Sequence, residues 1–240
     1  MNWLAQMWTR EGPGIPRDAP PKEGLALLVD VVARNWWELI QLNLLIILFG
    51  LPLVTLPAAL VAAGRICALM LEDRPLYLGR DFLAAFRAKF WPASAAGALG
   101  FGAFALAAYA AFVFLQAARA NLFLAMPLAL SAATAVFALL ATAYAFTLLA
   151  MRDQQLSLLL RRALLGALAR PLPVLVAFGF VALLWLLHIL FYPASIFMPA
   201  VVNFSFGALV VTFGAHRAAA RLLSPDKGAG HGAACAGGSA

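Results

Sequence analysis

Apolar residues run almost unbroken through 36–71, 92–116, 122–150, 172–191 and 194–214. The last four runs are each about 20–29 residues long. At 1.5 Å of rise per residue that is enough helix to cross a hydrocarbon core of ~30 Å. The first run is too long for a single crossing, since one helix over it would span about 54 Å. Its middle reads "GLPLVTLP", and Pro52 and Pro57 each remove a helical hydrogen bond and disfavour helix in the residue before. A hairpin is therefore predicted, with one arm to about Leu51 and a second from about Thr55 to Leu71. Its arms are short enough to be re-entrant.

Ahead of each hairpin lies a basic, partly amphipathic stretch: "LALLVDVVARNWW", "RDFLAAFRAKFW" and "LSLLLRRALLGALAR". In the second, Phe82, Phe86 and Phe90 recur every four residues while Arg80 and Arg87 point away, which predicts an interfacial helix with its aromatic stripe in the acyl boundary. Three units of interfacial helix plus hairpin are one reading of this rhythm. Small residues at helical spacing (Ala96, Gly100, Ala103, Ala107 and Ala111; Ala138 and Thr142; Ala141 and Ala145) offer faces for close helix packing, or reflect only the abundance of Ala. The fold class predicted is an all-α polytopic bundle of about six membrane segments, occupying residues 25–223. Residues 1–24 form a Pro/Gly-rich strap held extended by Pro13, Pro16, Pro20 and Pro21, lying across the bundle or serving as a spacer. Residues 224–240 lack apolar periodicity and are expected to be a disordered tail.

Composition agrees with the pattern. The chain is 65% hydrophobic and 11% charged, and its mean hydropathy is +0.92. Soluble domains are about 25% charged, so a water-soluble globule is excluded. The excess of 17 Lys and Arg over 10 acids would suit nucleic acid in a soluble protein, but here it marks the loops of one membrane side. With six segments and both termini inside, every basic residue except Arg119 falls on the cytoplasmic side. A single crossing by 36–71 would strand Arg74 to Lys89 outside. Cys67 and Cys235 have no paired spacing for a disulfide or metal knuckle. The first 24 residues lack the apolar core of a removable signal, so the first membrane helix is expected to direct its own insertion.

"GPGIPRDAPPKEG", then "ARNWWELIQLNLLIILFGLPLVTLPAALVAAGRI", then "DFLAAFRAKFWPAS" resembles the YesL-like family of bacterial multi-pass membrane proteins, whose activity is unassigned. The features that carry the resemblance are the Gly-Pro-Gly-Ile lead, Leu42-Asn43-Leu44-Leu45, the Leu-Pro-x-Val-Thr turn at 51–55 and the Phe-rich basic helix at 82–91. They cover roughly residues 10–95. Relatives often show Ile-Gly-Pro after the Thr, where this chain has Leu56-Pro57. The resemblance implies a helical bundle resident in a bacterial cell membrane, and for some relatives a setting near carbohydrate uptake.

Candidate chemistry is sparse. His188, His216 and His231 have no partner at helical spacing, and no hydrolase, nucleotide-binding or zinc motif is present. His188, near the outer end of its helix, is read as an interfacial or helix-packing residue rather than a base. No acid lies deep in a span, as a proton relay would need. The polar residues that enter the membrane are Gln41, Asn43, Thr55, Arg65, Asn203 and Ser205, with Glu38 at the inner mouth. Unpaired polar groups in hydrocarbon cost several kcal/mol, so these must face protein or trapped water. Asn43, Arg65 and Asn203 are predicted to form a polar cluster, structural or ligand-binding, that joins the last span to the first hairpin. No catalytic residue, cofactor or metal is expected. Two classes follow: a non-catalytic accessory or regulatory component, partnered by the bilayer and by a membrane transporter complex, or a small transporter or channel using the midplane polar residues. Nucleic acid is not an expected partner.

Overall fold

A computed structural model describes residues 23–118 and 121–223. The tail, and the strap apart from its last two residues, lie outside the described residues. Every regular element among those described is helical: α1 (Leu25–Arg34), α2 (Trp36–Gly50), α3 (Leu56–Leu71), α4 (Leu78–Ala118), α5 (Ala125–Met151), α6 (Leu156–Ala169), α7 (Pro171–Leu190) and α8 (Phe204–Leu223). A short 3-10 turn precedes α5 and a π-helical turn, Pro199–Asn203, leads into α8. Four helical stretches are long and apolar enough to cross a membrane: Leu78–Ala118, Leu122–Met151, Pro171–Leu190 and Pro199–Leu223. The protein is thus an all-α polytopic bundle.

The first apolar run is the hairpin that Pro52 and Pro57 imply. Pro57 sits in the first turn of α3, where its missing N–H costs nothing. The Thr55 hydroxyl closes the turn, lying 2.5 Å from the Phe49 carbonyl oxygen and 2.7 Å from that of Pro52. Its arms, of 15 and 16 residues, reach only about 22–24 Å at helical rise. Both are therefore shorter than full spans. At Asn35 the chain turns through 83°, so α1 runs nearly perpendicular to α2.

The short arm α3 is the hub. It packs on α2, α4, α5 and α8 and is the most completely buried helix, with Ala58, Ala59, Val61, Ala62, Ala63, Gly64, Ile66 and Cys67 all covered. Its run of small residues explains why: α5 and α8 come close enough that a Cβ on Gly64 would meet Ala150 at 3.4 Å and Thr212 at 3.6 Å. The seam between α4 and α5 uses the small faces read from sequence. Ala96, Ala107, Ala138 and Ala145 are buried there, and Gly100 lies directly against Thr142, although Ala103 is exposed.

Two expectations need correction. The aromatic stripe does not lie along an interface on a separate helix. Residues 78–91 are the first turns of α4, which continues through Pro92 for 41 residues. Phe82 is fully buried with its ring centroid 5.5 Å from that of Phe49, and the Phe86 ring lies tilted 5.0 Å from the same ring. Protein covers Phe82 and part of Phe86 and Phe90, because the hairpin supplies an aromatic partner in Phe49; Arg87 is exposed. The last span does not run from residue 194 either. Residues 191–197 form turns, and the helical stretch that leads into the last span takes in Pro199, where proline is tolerated in a first turn. The three stretches ahead of the hairpins are all helical, the second being fused to its span.

Candidate functional site: a basic pocket at one end of the bundle

Ion pairs gather the charged flanks of the helices at one end. Arg34, closing α1, bonds Asp30 at 2.9 Å and Asp73, just past α3, at 2.7 Å. His216 of α8 lies 3.1 Å from Glu72, and Arg217 lies 3.2 Å from Glu23. Lys89 of α4 pairs with Asp153 just past α5. These contacts put the flanks that the charge pattern grouped on one side together in space. Trp36, Trp37, Tyr77 and Trp91 stand exposed on the same flanks, the position of an interfacial aromatic belt.

Between the end of α3, the start of α4 and the end of α5 lies a cavity of about 600 Å³. Arg65, Arg74, Arg80, Lys89 and Arg152 line it, against the carboxylates Asp81 and Asp153. The local chain explains their aim. Asp73 adopts φ 51 after α3, and the N–H groups of Asp73 and Arg74 bond back to Met70 and Leu69 at 3.3 and 3.0 Å. This closes α3 with a Schellman-type turn and turns Arg74 toward the cavity. Asp81 accepts from the Tyr77 N–H at 2.9 Å and so caps α4, while Arg80 reaches Asp81 at 3.2 Å and lies 4.4 Å over the Tyr77 ring. Arg74 pairs with Glu72 at 3.5 Å. The half-buried Arg65 and the exposed Arg152 make no side-chain hydrogen bond or ion pair among the described residues. Together with Arg74 they also border an adjoining cavity of about 310 Å³.

The polar cluster expected from sequence divides. Asn43 meets the turn ahead of the last span, and its carboxamide bridges the break ahead of α8. Its Oδ1 accepts from the N–H of Phe204 (2.9 Å) and Ser205 (3.0 Å), and its Nδ2 donates to the carbonyls of Pro199 (2.9 Å) and Ala200 (2.7 Å). Two donors and two acceptors of an amide are thereby matched to the backbone groups of a π turn. Asn203, on that turn, is buried, and neither polar atom of its side chain has a partner. It borders a largely apolar cavity of about 220 Å³ that Thr142, Thr147 and Trp185 also line. Arg65 joins neither asparagine; it lines the basic pocket, where Arg74, Arg152 and the carboxylates Asp81 and Asp153 share the lining. His188 is tied to the turns that follow α7: the Ser195 hydroxyl donates to its carbonyl at 2.8 Å and lies 3.0 Å from its Nδ1.

Arg74, Arg80, Lys89, Arg152 and Asp153 were legible only as members of a charged side, not as the walls of one pocket. The signal that could have found four of them is the hairpin register: Arg74, Arg80, Arg152 and Asp153 each lie within a few residues of a helix end on that side, whereas Lys89 lies about three turns into α4. The model of a protein family described as "Protein of unknown function, DUF624" matches residues 39–111. That stretch holds most of α2, all of α3 and the greater part of α4, with Asn43, Arg65 and the pocket residues from Arg74 to Lys89. No curated protein and no solved structure matches the chain. What fold and comparison define together is a membrane protein whose activity is unassigned.

Proposed function

We propose that the chain is a non-catalytic accessory or regulatory component of a bacterial cell membrane, both termini cytoplasmic, that works through its basic end. The resemblance to the YesL-like family is consistent with the family match and suggests a setting beside carbohydrate uptake. The observation that carries the reading is the use to which Asn43 is put. A transporter built on the midplane polar residues needs their hydrogen-bonding capacity for solute, and all four bonds of Asn43 go to the backbone of the last span. The charged side chains free to meet a partner are at the basic end instead. One observation favours the alternative of a small transporter: the unpartnered Asn203 amide beside an intramembrane cavity.

The test is photo-crosslinking in cells from positions 77 and 80 at the basic rim and from positions 122 and 126 at the opposite end. The accessory reading expects one discrete adduct with a membrane protein from the basic rim alone, and no sugar flux into vesicles holding the purified protein. Flux that stops on Asn203→Leu, with no adduct, would replace it by the transporter reading.

A further inference from the structure

We infer that the basic pocket binds a phosphate-bearing anion. The argument starts from charge: five cationic side chains line the cavity against two carboxylates, and those two are engaged by Lys89 and Arg80. Arg65 and Arg152 approach from different elements, α3 and the segment after α5, and neither has an ion-pair partner among the described residues. The ends of α3 and α5 explain why cations collect there, because a helix C-terminus carries partial negative charge. That attraction does not satisfy a guanidinium, whose five N–H groups form a planar fork matched to oxyanions. Arg65 is half-buried, so the pocket holds it where water solvates it poorly and an anion is bound more strongly. The first turn of α4 enters the same cavity at Tyr77 and Arg80, adding the positive end of its dipole.

Phosphate fits this arrangement better than carboxylate. It presents three acceptor oxygens and up to two charges to groups converging from three sides, where a carboxylate presents two oxygens and one charge. The cavity, at about 600 Å³, is within the size range of small-molecule sites and leaves room for whatever carries the phosphate. Two sources supply that chemistry: the headgroup of an anionic phospholipid, since basic pockets at helix ends sit at headgroup depth, and a soluble phosphate ester. This inference takes the basic end as the working surface from the reading above. The two are separable: phosphate binding without a crosslinked partner removes only the accessory role, and an adduct without phosphate binding removes only this site.

The experiment uses the full chain in nanodiscs of zwitterionic lipid and follows the melting temperature. Inorganic phosphate should raise it saturably where chloride at matched ionic strength does not. Arg65→Gln and Arg152→Gln should each weaken the apparent affinity about tenfold, and Arg65→Lys by less, while Arg161→Gln, on α6 and away from the cavity, should not change it. Each variant is first melted without phosphate, and one that has lost its transition is replaced by the matching Lys substitution. Phosphatidylglycerol doped into the nanodisc gives the second arm. A rise that phosphate then fails to add to identifies the lipid headgroup; a response to phosphate or glycerol phosphate but not to the lipid identifies a soluble ester. The inference is overturned if phosphate does no more than chloride, if acetate does as well, or if Arg161→Gln weakens the response as much as Arg65→Gln.

Discussion

Replacing Asn43 by Leu keeps the branched shape and the number of side-chain heavy atoms, adds some bulk, and removes four hydrogen bonds to the turn that leads into α8. The carbonyls of Pro199 and Ala200 and the N–H groups of Phe204 and Ser205 lose their side-chain partner together. Intramembrane side-chain hydrogen bonds are worth about 0.6 kcal/mol on average, which for four sets a lower figure of about 2.4 kcal/mol. Any N–H left orphaned in an apolar seam adds about 1–3 kcal/mol unless the turn re-closes as regular helix. The expected cost of Asn43→Leu is therefore about 2.4–5 kcal/mol. Asn203→Leu should behave in the opposite way. Its amide is buried with no partner, so a leucine removes a desolvation penalty of about 1–3 kcal/mol and should be neutral or stabilising by about 1 kcal/mol. Reversible unfolding in mixed micelles of the full chain and both variants makes the comparison. Equal losses from the two substitutions, or a loss below about 0.5 kcal/mol for Asn43→Leu, would refute the assignment of Asn43 as the bridge across the break.

Two further outcomes test the packing. Gly214→Ala should cost about 1–3 kcal/mol, because its Cβ would lie 2.8 Å from the backbone carbonyl oxygen of Pro173 and backbone cannot swing aside; Gly64→Ala, with its nearest neighbour at 3.4 Å, should stay within about 1 kcal/mol of the parent in the same unfolding assay. A cysteine at position 82 should resist both water-soluble and lipid-soluble thiol reagents in the folded protein, whereas one at position 87 should react with the water-soluble reagent and one at position 91 with either; ready labelling at 82 would return the aromatic stripe to the membrane surface.

How far the fold could be read in advance depended on which physical question a residue answered. Pro52 and Pro57, five residues apart in a run too long for one crossing, leave room for a turn before the second and a helix starting at it, so the hairpin was legible from local sterics and length. The basic flanks were legible as a group because charge is excluded from the bilayer whatever the partners are. Phe82, Phe86 and Phe90 were legible as a face but not as a surface: periodicity says that the face is apolar, and lipid and protein satisfy an apolar face alike. Only the position of Phe49 in space decides between them. The aromatic stripe and the apolar run that starts at Pro92 belong to one helix, because a proline inside a helix removes one hydrogen bond without having to end it. Asn43 and Arg65 both had to be satisfied, and the sequence favoured joining them. The amide found a better match in two N–H groups and two carbonyls of a broken helix. The guanidinium went to the pocket at the basic end.

The position of α3 bears on what such a protein can do. A transporter of the rocking kind needs two bodies that move past each other around a central site. Here one short helix of small side chains touches α2, α4, α5 and α8 at once, and Asn43 ties α2 to the break ahead of α8. Dividing the bundle anywhere through α3 opens close contacts such as those of Gly64 with Ala150 and Thr212, and Gly97 with Pro57. Motion is easier at α7, which touches chiefly α8 and leaves most of its surface exposed. It is easier too at the basic end, where exposed ion pairs contribute little each. An anion held between Arg65 on the hub and Arg152 beyond α5 would stiffen that end without disturbing the centre. A rigid core with a ligand-sensitive end suits a component that reports on its surroundings to a neighbour, and this is the physical ground for preferring the accessory reading.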